Sequence, residues 1–247
     1  KKKVSVVLTG EGADELFGGY RKYKYLKSVH PYHKLTPYVI KKILASGLSP
    51  FFKSMIMKRM LQFGSAKNIE DFYLQLISFF TEQEKKKLCQ KNVIVNNRQD
   101  ISEIEKYFGK NNLATSLMKL DFKTWLPEDL LMKVDKTTMA HALEARVPFL
   151  DPNMIDLASK IPSNLKLRLN KEKYILRKAM KSTVPSKIYK RKKHGFNVPV
   201  HKWLEKDLKD VSQNLLSKES INKRGLFEHS YIEKLFNNYN KSKIYYS

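Results

Sequence analysis

The chain has 247 residues, 42% of them hydrophobic and 29% charged, with 13 Phe and 13 Tyr; this suffices for a packed core and excludes disorder over most of the length. Lys and Arg number 48 against 24 Asp and Glu, a formal charge of +24, which favours polyanionic partners. Two origins of that charge stay open, a lysine-biased composition around a phosphate-handling site or a nucleic-acid surface, and lysines spread from Lys1 to Lys243 without an arginine stripe favour the first.

In chain order, Val4-Ser5-Val6-Val7-Leu8 is a β-branched run stopped by Thr9-Gly10, the pattern of a buried strand entering a turn. From Asp14 onward the apolar spacing is helical, with helices expected over Tyr38–Leu44, Phe51–Leu61 and Ile69–Phe80, punctuated by Pro31, Pro37 and Pro50. Phe72, Phe79 and Phe80 read as core, and Trp125 and Trp203 as packing residues. Thr81 to Glu84 has capping-box spacing, and Asp151-Pro152 sets an N-cap before a first-turn proline. Asn111–Leu126 and Leu130–Leu143 read as consecutive helices broken at Pro127, then closed by extended Arg146-Val147-Pro148. Helices follow over Glu172–Met180 and Val200–Leu216, separated by a lysine-rich loop, and the tail from Phe227 is amphipathic. A lone Cys89 and six scattered histidines provide neither an intrachain disulfide nor a structural zinc set. No apolar run approaches the ~18–20 residues that span a bilayer, and no signal-peptide series opens the chain, so a cytoplasmic setting without a membrane partner is expected.

The turn after the first strand holds the densest chemistry. Gly10 and Gly12 permit positive φ and close approach to a ligand, at the strand end where α/β sheets bind ligands. Glu11, Asp14 and Glu15 crowd into the same turn, and two readings stand side by side: oxygen ligands for a cation such as Mg²⁺, or a solvated helix N-terminus whose acids complement the dipole. Lys192-Lys193 on composition alone would be solvated lysines, and His141 reads as a packing residue.

Leu8-Thr9-Gly10-Glu11-Gly12-Ala13-Asp14-Glu15-Leu16-Phe17-Gly18-Gly19-Tyr20 resembles the synthetase-domain motif of glutamine-dependent asparagine synthetases. A second stretch is similar to that family in order, from Leu126-Pro127-Glu128-Asp129-Leu130-Leu131 through Asp135, Met139-Ala140-His141 and Glu144-Ala145-Arg146-Val147-Pro148-Phe149-Leu150-Asp151. Arg191-Lys192-Lys193-His194-Gly195-Phe196 with Val198-Pro199 resembles its basic pyrophosphate loop. The resemblance implies ATP-dependent adenylation of the aspartate side-chain carboxylate, release of pyrophosphate, and attack by ammonia from a glutaminase domain, with ATP and Mg²⁺ as cofactors. Residue by residue, it places a Mg²⁺ carboxylate at Asp14, a carboxylate that orients or deprotonates ammonia at Glu11, and the pyrophosphate lysine at Lys193 beside Lys192. Gly10 and Gly12 would shape the ligand loop, and Asp135 and Arg146 would wall the nucleotide and aspartate pocket. Glu144 with Arg146 could equally be a structural ion pair fixing the Pro148 turn.

The family's upstream Ser-Gly-Gly-x-Asp-Ser phosphate loop does not occur in the chain, no Walker-type loop replaces it, and the glutaminase domain is absent. The expected fold is therefore mainly α with a short N-terminal strand. It would be a single domain over 1–247 forming the C-terminal part of an α/β adenine-nucleotide α-hydrolase-like (PP-loop ATP pyrophosphatase) domain, cut from a longer chain as the Lys1 start suggests. That part would be inactive alone and completed by the missing N-terminal region in cis or in trans. Alternative readings are a catalytically inactive truncated relative acting as an interaction module, an amidotransferase for the carboxylate of a β-lactam precursor or surface polysaccharide, and, less favoured, a nucleic-acid binder.

Overall fold

A computed structural model of the chain describes residues 4–24, 35–37, 39–40, 66, 68–80, 82–93, 106–108, 112–168, 171–191 and 198–242. In chain order the elements are β1 (Val6–Leu8), α1 (Ala13–Phe17), α2 (Ile69–Ile77), α3 (Glu82–Leu88) and α4 (Leu113–Lys123). A π-helical stretch (Leu126–Leu131), α5 (Met132–Met139), β2 (Glu144–Arg146), a 3₁₀ turn (Pro148–Leu150), α6 (Pro152–Lys160), α7 (Ser163–Lys166) and α8 (Tyr174–Ala179) follow. The series ends with α9 (Ser186–Tyr189), α10 (Val200–Glu205), α11 (Lys209–Leu215), α12 (Lys218–Arg224) and α13 (His229–Ser242). The chain divides into two compact units, Lys1–Lys41 with Gln99–Arg191, and Lys42–Arg98 with Lys192–Ser247. Among the described residues no helix is long and apolar enough to cross a membrane.

In the first unit β1 and β2 form a parallel pair, with Val6 opposite Glu144, Val7 opposite Ala145 and Leu8 opposite Arg146. The Glu144 N–H donates to the Ser5 carbonyl at 2.9 Å and the Thr9 N–H to the Arg146 carbonyl at 2.9 Å, which extends the ladder at both ends. The expected N-terminal strand is present, shortened to Val6–Leu8, but it is not buried as expected, Val6 and Leu8 both being exposed; β2 was not expected, because Glu-Ala-Arg has no strand propensity of its own and is drawn out by its partner. The core of this unit gathers around α1 and α6. Leu16, Phe17 and Ala158 are buried there, packed by Phe122, Phe149, Leu150, Met154, Ile155 and Ile175 among others, and Phe17 meets Phe149 edge-on at 6.1 Å.

Local chemistry sets the boundaries of these elements. Asn112 caps α4 by accepting from the Ala114 N–H at 3.0 Å, and Asp151 caps α6 by accepting from the Asn153 N–H at 2.9 Å, as its position before Pro152 requires. Pro127 does not separate two helices as expected; it enters at the first turn of the π-helical stretch, where its missing N–H costs least, and that stretch leads directly into α5. Instead of continuing to Leu143, α5 stops at Met139. Ala142 then turns left-handed at φ 53 and the Leu143 N–H returns to the Thr138 carbonyl at 3.0 Å. His141, in that turn, is exposed and not packed, whereas Trp125 is 41% exposed and so is partly covered.

In the second unit Asn68 caps α2 through the Asp71 N–H at 2.8 Å. Cys89 and Phe227 form an antiparallel bridge, flanked by hydrogen bonds from Gln90 N–H to the Leu226 carbonyl and from Glu228 N–H to the Leu88 carbonyl. Tyr73, Ile221 and Ile232 are buried in it. Phe79 is 71% exposed and so does not join a core, and Trp203 is also exposed; the Phe72 side chain lies outside the described residues. The helix expected over 200–216 is two, α10 and α11, because the Leu208 N–H bonds back to the Trp203 carbonyl at 2.6 Å and turns the chain between them. The expected helices at 38–44 and 51–61 lie outside the described residues, apart from 39 and 40, which are helical, and so does Thr81.

Candidate active site

Thr9 to Gly12 form the turn at the carboxyl end of β1. Gly12 precedes α1 at φ 84, and a Cβ there would overlap Leu150 Cδ2, so glycine is required on both conformational and steric grounds. Gly10 differs from the expectation, for it is not among the glycines with positive φ. Among the described residues a Cβ on it would meet nothing within 4 Å, so Gly10 borders space that those residues leave open at the strand end.

The three carboxylates of this turn diverge. Glu11 is partly exposed, while Asp14 keeps 25% of its side chain accessible and pairs with Lys173, whose Nζ lies 3.1 Å from Asp14 Oδ1. Glu15 points the other way, into the protein, where it is 2% exposed. Its Oε1 accepts the Tyr20 phenol at 2.5 Å and its Oε2 is buried without a hydrogen bond. Burial pushes the Glu15 carboxyl above its ordinary value, against the lowering effect of the Tyr20 hydrogen bond. Among the described residues no group of three or more His, Cys, Asp or Glu side chains is arranged to hold a metal, so the turn offers a cation the partly accessible Asp14 and not a three-carboxylate cluster.

Gly18 and Gly19 close α1. Gly18 is left-handed at φ 71, and its carbonyl accepts from the Lys173 N–H at 3.4 Å. At Gly19 a Cβ would overlap both Asp14 Oδ1 and Lys173 Cε, so the absence of a side chain admits the lysine. Lys173, itself left-handed at φ 52, was expected inside a helix from Glu172; α8 begins only after it. The Gly18-Gly19 pair is a sequence signal that could have pointed to this close approach of Lys173.

A second buried polar group adjoins the first motif. Asp121, fully buried on α4, accepts from the Tyr23 phenol at 2.5 Å and the Lys22 ammonium at 2.7 Å. The ammonium also lies over the rings of Tyr20, Tyr23 and Trp125 at 5.3, 5.9 and 5.7 Å. Burial, and then the negative charge of Asp121, push the Tyr23 phenol well above its ordinary range. This group braces α4 against the segment that follows Gly19.

The second motif reaches the turn through β2. The Arg146 backbone binds Thr9, while its guanidinium pairs with Glu144 at 2.8 Å, both side chains being more than half exposed. The Glu144 hydrogen bond, followed by its charge, raises the Arg146 guanidinium further above its already high range. Asp135 lies on α5, which packs beside β2, with its side chain exposed. Lys192 and Lys193 lie outside the described residues; the backbone just before them is held by Arg177, whose Nη1 donates to the carbonyls of Tyr189 at 2.8 Å and Arg191 at 3.3 Å.

The family model described as asparagine synthase matches residues 1–247, across both units. The chain belongs to the asparagine synthase family. It is 38% identical over 219 residues to the glutamine-hydrolyzing asparagine synthetase 1 of Bacillus subtilis (strain 168), covering 87% of this chain and 34% of that relative. The glutamine-hydrolyzing asparagine synthetase 3 of the same organism is 26% identical over 225 residues, 90% of this chain and 31% of the relative. The glutamine-hydrolyzing asparagine synthetase 1 of Saccharomyces cerevisiae (strain ATCC 204508 / S288c) is 39% identical over 101 residues, 36% of this chain and 18% of the relative. This member of the asparagine synthase family thus spans about a third of the length of the Bacillus relatives. No solved structure matches it.

Proposed function

We propose that this chain contributes to ATP-dependent amide formation, in which the side-chain carboxylate of aspartate is adenylated, pyrophosphate leaves, and ammonia attacks the activated acyl carbon, expelling AMP and losing a proton. The observation that carries the reading is the β1–β2 register. It sets the second motif beside the Thr9–Gly12 turn of the first, at the strand end where open α/β sheets receive ligands. Open space at Gly10 leaves room for a nucleotide. Asp14 fits a Mg²⁺ ligand, because this ion is commonly held by one or two carboxylates with the remaining positions filled by phosphate oxygens and water. Bound there, Mg²⁺ would neutralise charge on the phosphates. Glu11, partly exposed in the same turn, would orient or deprotonate ammonia. Lys193, with Lys192, would supply positive charge to the departing pyrophosphate, and Asp135 and Arg146 would flank nucleotide and aspartate.

The fold proposed for the longer protein is an α/β ATP pyrophosphatase sheet, of which β1 and β2 are two strands. Parallel strands are ordinarily covered on both faces, yet Leu8 is 73% exposed and Val4 and Val6 are also open. Those apolar side chains suit a sheet continued by a further region, in cis or in trans, bearing a glutaminase domain as the ammonia source. The reading is tested in the protein joined to that region. Asp14→Asn and Lys193→Ala should each abolish aspartate-dependent pyrophosphate release with unchanged circular dichroism, and normal release in either variant would refute the corresponding role.

A further inference from the structure

Lys173 is held against the first motif by both its backbone and its side chain. Its backbone takes the left-handed conformation, φ 52 and ψ 36, which a residue with a Cβ adopts only where surrounding contacts hold it. Its N–H donates to the Gly18 carbonyl at 3.4 Å, and its Nζ lies 3.1 Å from Asp14 Oδ1. Its Cε fills the space over Gly19 that any side chain at that position would occupy. A surface lysine that met Asp14 by chance would have none of these constraints; here a glycine, a backbone turn and a side chain agree on one ammonium position.

That position has a consequence for cations. A divalent ion approaching Asp14 meets an ammonium already paired with the carboxylate, with only about a quarter of either side chain accessible to water. Two cations at one carboxylate repel, and the low local dielectric strengthens the repulsion, unless further negative charge arrives with the second. A nucleotide polyphosphate brings that charge. We propose that Lys173 is a built-in counter-ion that keeps bare divalent cations off Asp14, so that the metal enters together with a polyphosphate whose oxygens give the ammonium a second anion. The inference deepens the proposed function and rests on its reading of Asp14 as the metal carboxylate. Lys173 acts through Asp14 and is a positioning residue.

The test is binding of Mn²⁺, as the spectroscopic substitute for Mg²⁺, to the full chain without nucleotide, followed by loss of the free-ion electron paramagnetic resonance signal. Lys173→Gly and Lys173→Asn both suit the left-handed backbone and remove the charge, whereas Lys173→Arg keeps it. Bare Mn²⁺ should bind the Gly and Asn variants about tenfold or more tighter than the unaltered chain. Lys173→Arg should stay weak, and adding Asp14→Asn to either neutral variant should erase the gain. Equal affinity for bare Mn²⁺ in all of these, or a gain that survives Asp14→Asn, overturns the proposal. The two readings fail separately. Equal Mn²⁺ affinity alongside loss of pyrophosphate release in Asp14→Asn removes the counter-ion and leaves the function. An Asp14-dependent Mn²⁺ gain alongside normal pyrophosphate release in Asp14→Asn removes the function and leaves the counter-ion.

Discussion

The phenol of Tyr20 reaches back to Glu15 Oε1 at 2.5 Å, tying the residue after the Gly-Gly pair to the inside of α1 while the other carboxylate oxygen stays buried and unpaired. The folded state therefore prefers Glu15 protonated more than the unfolded chain does, since burial is the largest influence on its carboxyl. An acid whose value is raised on folding contributes stability that is full below its ordinary 4.5 and is lost as pH rises through the folded value. The difference in urea midpoint between the unaltered chain and Glu15→Gln should accordingly move toward the Gln variant as pH is raised from 4.5 to 8. A difference independent of pH would contradict the buried carboxyl. Tyr20→Phe, which strips Glu15 of this hydrogen bond, should cost about 1–3 kcal/mol in the same assay.

Asp121 predicts a larger loss. It carries a fully buried charge answered by Tyr23 and Lys22, and removing one partner of such a group leaves the rest uncompensated. Asp121→Ala should lower stability by about 3–5 kcal/mol and Tyr23→Phe by about 1–3 kcal/mol, measured by denaturant unfolding. Because both act on one network, the double variant should cost less than the two losses added, and strict additivity would show that the groups do not communicate.

The glycines of the first motif separate by purpose. Gly19→Ala forces a methyl group into Asp14 Oδ1 and Lys173 Cε, so it should destabilise the chain by about 1–3 kcal/mol and, by displacing the ammonium, alter bare Mn²⁺ binding as the Lys173 variants do. Gly10→Ala meets open space and should unfold at the unaltered urea concentration. Any reduction it causes in Mg²⁺-dependent ATP binding then reports on the ligand and not on the fold.

Glu144 and Arg146 pair at 2.8 Å on the surface, where an ion pair adds little to stability. Arg146→Gln should leave the thermal midpoint unchanged. If the residue faces a ligand, the same variant weakens aspartate or nucleotide use in the longer protein, and a lowered midpoint with unaltered ligand use would instead assign it to the scaffold turn at Pro148.

What the sequence made legible follows from where each signal resides. Val6-Val7-Leu8 and the cap at Asp151 carry their own propensity, so strand and helix start were readable in isolation. Gly12 was readable because a strand-to-helix turn at that point calls for a residue free to take positive φ. β2 was not, since its Glu-Ala-Arg becomes a strand only through the Ser5 and Thr9 hydrogen bonds. Lys173 escaped notice because Glu172-Lys173-Tyr174 looks like continuous helix, and only the contact with Gly18 and Asp14 turns the lysine out of it. Glu15, grouped by sequence with two other acids, separates from them because its place on α1 faces the core. Propensity acts over neighbours, and these three outcomes were decided by partners far along the chain.

The pairing of Val6 with Glu144 also imposes an order of events during synthesis. On a ribosome the first motif emerges long before its strand partner, and closing so long a loop is slow compared with forming the intervening helices. Until Arg146 has left the exit tunnel, Val6 and Leu8 lack their β2 partners and Thr9 lacks the Arg146 carbonyl. The nascent chain therefore carries the Thr9–Gly12 turn without its β2 contacts until residues 144–146 emerge, exposed to chaperones and to aggregation. Ribosome-bound chains stalled before residue 144 should be cut by protease near Gly10, and chains stalled well beyond Lys173 should be protected there.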